Sequence, residues 1–133
     1  MVCHNDPSPC NYVFRAGWPV ALIDFDHAAP GDRLRDLAYA GWLWALSADD
    51  GPSIVEQARR LRLMADAYGL GSPRGLVDAI IQRQRENLHD ALARTSSDDP
   101  AVAEYARASA DWQREQGAWL DEHAAEFRAL AER

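Results

Sequence analysis

The stretch His4-Asn5-Asp6-Pro7-Ser8-Pro9-Cys10-Asn11, followed further along by Ile23-Asp24-Phe25-Asp26, decides how the rest of this 133-residue sequence is interpreted. The first segment fits the pattern H-x-D-x-x-x-x-N, and the second is an apolar strand pattern that runs into two carboxylates. The segment between Asn11 and Asp24, thirteen positions apart, has the sequence pattern of a β-hairpin. Because a hairpin returns the chain to where it started, we expect Asp6, Asn11 and Asp24 to meet in one cleft.

Three short strands are predicted around that stretch. The first ends at Val2-Cys3, the second covers residues 12–15 and the third covers residues 18–23, with Ala16-Gly17 as the turn between the last two. Up to about residue 30 the sequence is rich in Pro, Gly, Asp and β-branched residues, and from about residue 32 it is rich in Ala, Leu, Arg and Glu. No linker and no repeat separates the two parts, so one domain over residues 1–133 is predicted.

The second part predicts four or five helices. Asp32 is the predicted N-cap of a first helix that ends near Ser47. Apolar residues spaced four and three apart predict a second helix that stops at Gly69, and Gly71-Ser72-Pro73 opens a third. A long last helix follows the loop at residues 95–100, with Gly117 bending or splitting it. It carries, at roughly seven-residue intervals, Tyr105, Ser109, Trp112, Trp119, His123, Phe127 and Leu130.

The segment Pro30-Gly31-Asp32-Arg33-Leu34-Arg35-Asp36-Leu37-Ala38 adds a third motif. It is similar to the G-D-x-x-x-D-L-A segment of the aminoglycoside and choline kinase-like phosphotransferases. Together the three motifs make residues 2–46 resemble that family, while the helical remainder agrees only in pattern. The resemblance implies an α+β, mostly α fold: the C-terminal lobe of a protein-kinase-like fold, with catalytic and metal-binding loops in residues 1–30 and a helical body in residues 31–133.

The resemblance also implies roles for individual residues. Asp6 would be the catalytic base that accepts a proton from a hydroxyl group, and Asn11 and Asp24 would be oxygen ligands of Mg²⁺. Asp26 would be a second metal contact or would bond to local backbone. His4 and Asp36 would support the loop structurally. No substrate-binding residue is assigned, since acidic helix residues such as Asp90, Glu104, Asp111 and Glu115 fit a solvated face equally well.

The implied cofactors are Mg²⁺ and ATP as phosphoryl donor, and the implied partners are the nucleotide and a small-molecule hydroxyl acceptor. The catalytic loop begins at residue 4 and the chain contains no lysine, so the ATP-grasping lobe of such enzymes is expected to be absent from this chain. That lobe would then lie on another chain, or two copies of this chain would associate through the face that the missing lobe leaves exposed. A truncated catalytic lobe of this kind is expected to catalyse phosphoryl transfer poorly on its own.

Bulk composition limits the other classes of protein. The formal net charge of −7 disfavours a nucleic-acid partner, which would require a basic face. No apolar run reaches the length of a membrane span and no signal peptide is present, so a cytoplasmic location is expected. Two alternatives remain open for the motifs: a zinc site from Cys3, His4, Cys10 and His27, and a non-catalytic helical module that binds a partner or ligand.

Overall fold

The computed structural model describes residues 1–48 and 51–131, which form a mostly helical domain with a small β part. The α+β, mostly α class is therefore confirmed at this coarse level. No described helix combines the length and the apolar character that a membrane span needs. The elements in chain order are β1 (Val2–Cys3), a 3₁₀ turn (Pro9–Asn11), β2 (Tyr12–Arg15), β3 (Trp18–Leu22), β4 (Ala29–Pro30), α1 (Arg35–Ala40), a π-helical turn (Gly41–Ala45), α2 (Ile54–Tyr68), α3 (Arg74–Arg94) and α4 (Pro100–Ala131).

The β part consists of two separate antiparallel pairs. β2 pairs with β3 through the turn Ala16-Gly17, whose φ angles of 50° and 81° lie in the left-handed region that two-residue hairpin turns use. The predicted hairpin and its turn are confirmed. β1 pairs with β4, which places Val2 opposite Pro30 and Cys3 opposite Ala29. β4 has no counterpart among the predicted strands, because a two-residue strand carries no periodic pattern.

The hydrophobic core lies where α2, α3, α4 and the π-helical turn meet. Buried residues on α2 and α3 recur three and four positions apart, which is the spacing of one helix face. The end of α2 at Gly69 is as predicted, and the glycine adopts a left-handed φ of 77°. The core residues are Ala38, Trp42, Ala45, Ala58, Leu61, Ala65, Leu76, Val77, Ile80, Ile81, Leu120, Ala124 and Phe127.

The predicted N-cap of the first helix is wrong. Leu34, not Asp32, occupies the position before α1. The Asp32 carboxylate accepts a hydrogen bond from the backbone N–H of Leu34 at 2.8 Å, which closes a side-chain turn just ahead of the helix. The α-helix ends at Ala40, and the π-helical turn continues it to Ala45, where the prediction had one helix to about Ser47.

The residues that recur along the last helix do not share one buried face, because Tyr105 and Trp112 are 76% and 44% exposed. Phe127 is buried. Small side chains take most of the remaining buried positions, because they let two long helices approach closely. The buried residues of α4 are Ala103, Ala106, Ala110, Gln113, Leu120, Ala124, Phe127 and Ala131.

Gly117 neither splits nor ends α4, which continues from Pro100 to Ala131. A Cβ atom at this position would lie 2.7 Å from Nε2 of Gln84 on α3. The Gln84 amide is buried and donates a hydrogen bond to the backbone carbonyl of Gln113. Gly117 therefore provides the space in which a buried polar bond between α3 and α4 forms.

The core assignment predicts a contrast between two leucines of α2. Leu61 is fully buried and Leu63 is 54% exposed. Leu61→Ala should lower the free energy of unfolding by about 2–5 kcal/mol, because it removes buried methyl groups and leaves a cavity. Leu63→Ala, the matched control, should change it by about 0.5 kcal/mol or less. Urea unfolding followed by circular dichroism measures both, and equal losses would contradict the packing described.

Candidate active site

The loop after β1 is fixed by a carboxylate from the first turn of α1. Asp36 Oδ2 accepts a hydrogen bond from the backbone N–H of His4 at 2.7 Å, and Asp36 Oδ1 accepts one from the backbone N–H of Asn5 at 2.8 Å. The pairing of β1 with β4 brings these two parts of the chain together. The structure thus places Asp36 where it can support the loop, and its contribution to a working site remains a prediction.

The His4 ring connects the same loop to the end of β3. Its Nδ1 accepts a hydrogen bond from the backbone N–H of Asp6 at 3.2 Å, and its Nε2 lies 2.9 Å from the carbonyl oxygen of Ile23. A backbone N–H can only donate, so Nδ1 is the acceptor and Nε2 carries the proton. The ring is 5% exposed and contacts the Phe25 ring edge-on at 4.4 Å. This arrangement holds the imidazole ring between two backbone segments.

Asp6 and Asn11 are in direct contact. Nδ2 of Asn11 donates to the backbone carbonyl of Asp6 at 2.9 Å and to Asp6 Oδ2 at 3.1 Å. The other carboxylate oxygen, Asp6 Oδ1, is buried and has no hydrogen-bond partner within the described part of the chain. Buried polar atoms are nearly always paired, so this one marks a place where a ligand atom is expected.

Asp24 directly follows a residue that is bonded to both ends of the first motif. The backbone N–H of Ile23 donates to the carbonyl of Asn11 at 2.9 Å, and the Ile23 carbonyl accepts from His4. Asp24 itself has a φ of 65°, an uncommon value for a residue other than glycine that is often found at functional sites. Asp24 and Asp26 are exposed, and no described hydrogen bond joins either carboxylate to Asp6 or Asn11.

The donor atoms fit a magnesium ion chemically. Asp6 Oδ1 has no hydrogen-bond partner among the described residues, the side-chain oxygen Oδ1 of Asn11 accepts only a long 3.8 Å bond from Cys10 Sγ, and Asp24 offers an exposed carboxylate. These are the hard oxygen ligands that Mg²⁺ binds in proteins. Within residues 1–48 and 51–131, no three His, Cys, Asp or Glu side chains form a group that could hold a metal. A site built here therefore depends on the Asn11 carboxamide together with the carboxylates.

Sequence reasoning missed Asn5, which is the most connected residue of the loop. Its Nδ2 donates to the carbonyl of His27 at 2.8 Å, and its Oδ1 accepts from Arg35 Nε at 2.6 Å. Its backbone carbonyl accepts from Arg83 Nη2 at 2.9 Å. Asn5 has a φ of 68°, which asparagine tolerates better than most residues. In the sequence, the available signal for a role of Asn5 was its position directly before Asp6.

A cleft of about 740 Å³ opens between this loop and the helices α3 and α4. Residues from both sides line it, including Asp6 and Asn5 from the loop, Arg83 and Asp90 from α3, and Gln113 from α4. Of the acidic helix residues left unassigned by the sequence, Asp90 lies on its wall. Asp6 therefore lies at the wall of a cleft large enough for a small molecule.

Tyr39 of α1 also lines this cleft. Burial, then the charge of the nearby Asp6 carboxylate, and a hydrogen bond from the phenol to that carboxylate raise the pKa of Tyr39 to about 12 from 10.0. The Arg83 guanidinium lies over the Tyr39 ring, 5.1 Å from its centroid, and opposes that rise. The phenol is therefore neutral at physiological pH and carries a proton beside the Asp6 carboxylate.

Comparisons with known proteins agree with the motif region. The model of the phosphotransferase enzyme family matches residues 1–76, more than half of the chain. A trifolitoxin immunity protein from Rhizobium leguminosarum bv. trifolii is 38% identical over 90 residues, covering 61% of this chain and 34% of that protein. The chain thus spans about a third of the length of this curated relative. No solved structure matches the chain significantly.

The proximity of Asp6 to Tyr39 can be tested by titration. Because the Asp6 charge disfavours the phenolate, Asp6→Asn should lower the pKa of Tyr39 from its value of about 12. In the native protein, the stability linked to Tyr39 is present below pH 10 and is lost as the pH rises toward 12. Ultraviolet absorbance of phenolate, with Tyr39→Phe to assign the signal, measures the shift. Asp66→Asn, a change on α2 away from Tyr39, is the control; no difference between the two variants would contradict the contact.

Proposed function

Because the chain belongs to the phosphotransferase enzyme family, we propose that it is the catalytic lobe of an ATP- and Mg²⁺-dependent kinase acting on a hydroxyl group of a small molecule. The observation that carries this proposal is the state of Asp6. Its Oδ1 atom is buried without a partner on a rigid loop at the wall of the cleft, while Oδ2 is held by Asn11. The proposed fold is the C-terminal lobe of a protein-kinase-like enzyme.

In this proposal Asp6 is the catalytic base. An acceptor hydroxyl in the cleft would donate its hydrogen bond to Asp6 Oδ1, the oxygen that lacks a partner. The carboxylate would orient the hydroxyl and take its proton as the oxygen attacks the phosphoryl group. Asp36 and His4 would act by positioning, since they hold the backbone of residues 4–6 and do not line the cleft.

Asn11 and Asp24 are the proposed ligands of Mg²⁺, with Asp26 as a further contact. Asn11 is fixed by its two bonds to Asp6, and Asp24 follows a strand end that is bonded to Asn11. When bound, the metal with its nucleotide would neutralise the charge that develops on the transferred phosphoryl group. Asp24 is suited to such an ion because the residue is exposed and its carboxylate is a hard oxygen ligand.

The proposed enzyme requires a second lobe to grip ATP. The hairpin and the segment after it carry six exposed apolar side chains, Val13, Phe14, Trp18, Val20, Ile23 and Phe25, with Trp18 75% exposed. Such a concentration of apolar surface usually marks a contact face. We therefore place the ATP-grasping lobe on this face, contributed by another part of the whole protein or by another chain.

A non-catalytic binding module is the second candidate. The curated relative is named a trifolitoxin immunity protein, a name that states no enzymatic activity. This candidate predicts no magnesium-dependent change in melting temperature when ATP is added. The kinase proposal predicts a rise in melting temperature with Mg²⁺ and ATP together, reduced by Asp24→Asn, because a ligand that binds only the folded state stabilises it.

Replacing the base gives the sharpest test of the enzyme proposal. In a form of the protein that includes an ATP-grasping lobe, Asp6→Asn should lower the rate of phosphoryl transfer by about 10²–10⁴-fold, the usual contribution of a positioned base. The isosteric change should keep the fold, as checked by circular dichroism. Asp66→Asn, an exposed change on α2, is the matched control and should leave the rate unchanged. An unaltered rate in Asp6→Asn would remove this mechanism.

A further inference from the structure

Arg83 is buried beside the candidate base with hydrogen-bonding capacity left unused. The residue is 6% exposed and lines the cleft. Its Nη2 donates to the backbone carbonyl of Asn5, while Nε and Nη1 have no hydrogen-bond partner among the described residues. Leaving charged donors unpaired in a buried position is costly, so a partner is expected when the protein is in use.

The carboxylate closest to Arg83 is already engaged by another arginine. Glu86 is the nearest carboxylate, at 3.7 Å from Arg83 Nη1, but its Oε2 atom already forms a 2.6 Å bond with Arg35. Two guanidinium groups therefore share one carboxylate. Asp90, the other acidic residue of α3 that acts on Arg83, is exposed and hence screened by water. Burial and the Arg35 charge lower the pKa of Arg83, and an anion at its free nitrogens would offset both effects.

Two further buried atoms without hydrogen-bond partners indicate which groups the ligand would carry besides an anion. Asp6 Oδ1 and Gln113 Oε1 are buried acceptors without partners, and both residues line the same cleft as Arg83. The three residues together present two acceptors and one cationic donor. A molecule with hydroxyl or amine donors on one part and an anionic group on another would satisfy all of them.

The geometry points to an acceptor substrate that carries a carboxylate group, bound by Arg83, close to the hydroxyl that faces Asp6. This inference rests on the proposed kinase function and names its substrate class, a small hydroxy acid. The formal net charge of −7 would by itself favour a cationic substrate instead. The two groups must be near each other in the ligand. Arg83 bonds directly to the backbone of Asn5, the residue that precedes Asp6.

Three small hydroxyl-bearing probes test the charge preference without nucleotide or metal. Glycerate carries a carboxylate, glycerol is its neutral counterpart and ethanolamine is cationic. We expect this chain to bind glycerate at least about tenfold more tightly than glycerol or ethanolamine, since one charge-assisted hydrogen bond contributes that much. Titration followed by ¹H–¹⁵N NMR shifts measures the three affinities. Tighter binding of ethanolamine, equal binding of all three or no binding of glycerate would overturn the inference.

Two arginines of α3 provide matched variants. Arg83→Met should reduce the affinity for glycerate to that for glycerol, because it removes the charge and keeps much of the side-chain volume. Arg85→Met removes an exposed arginine that pairs with Asp121, and it should keep the preference. If Arg83→Met fails to fold by circular dichroism, Arg83→Lys retains the charge with fewer fixed donors and should bind glycerate more weakly than the native chain. An unchanged preference in a folded Arg83 variant would contradict the assignment.

The test separates the two proposals. Because these titrations contain neither ATP nor Mg²⁺, their outcome does not depend on phosphoryl transfer. Loss of transfer in Asp6→Asn together with no preference for glycerate would leave the kinase proposal intact and overturn only the substrate class. A preference for glycerate together with no transfer in any form would instead support an anion-binding module.

Discussion

The whole candidate site depends on one carboxylate that accepts hydrogen bonds from two successive backbone N–H groups. Asp36 holds the N–H groups of His4 and Asn5 at 2.7 and 2.8 Å, and both bonds are assisted by its charge. Asn5 is in the left-handed region, so the loop has a conformation that isolated chains rarely adopt. The two bonds offset that strain, and they attach the loop to the start of α1 rather than to its own neighbours.

Further hydrogen bonds then restrict the conformation of this loop. The His4 ring joins Asp6 to Ile23, and the indole N–H of Trp44 donates to the carbonyl of Pro7 at 3.2 Å. With the backbone of Asp6 held by His4 and Asn11, and that of Pro7 by Trp44, Asp6 keeps Oδ1 buried and without a hydrogen-bond partner among the described residues. A carboxylate held in this way is preorganised for a ligand hydroxyl, because the protein has already provided the ordering that binding would otherwise require.

Local sequence patterns were sufficient for much of the fold and for one contact of the site. The hairpin, the end of α2 at Gly69 and the meeting of Asp6 with Asn11 follow from turn chemistry and short spacings. Features that depend on contacts between distant segments could not be predicted from local patterns. The buried face of α4 is formed mainly by alanines, and an aromatic residue such as Tyr105 carries more weight in a periodic pattern than an alanine does.

The residues missed at the site share a physical reason. Arg83 lies 78 positions after Asn5, and the two meet only because α3 packs beside the loop. An arginine on a helix is expected to be exposed, and nothing in its immediate neighbours indicates that it is buried. The partner atoms of Asn5 likewise come from segments 22 to 78 positions away. Such contacts depend on how the helices pack, which local patterns do not determine.

The central claim is that the Asp36 carboxylate holds the loop, and amide hydrogen exchange tests it most directly. In Asp36→Asn, which keeps the shape but loses the charge and one acceptor oxygen, the amides of His4 and Asn5 should exchange roughly tenfold faster or more. Amides in the core of α3 should keep their rates, as should every amide in an Asp66→Asn control. Unchanged exchange at His4 and Asn5 in the Asp36 variant would contradict the account.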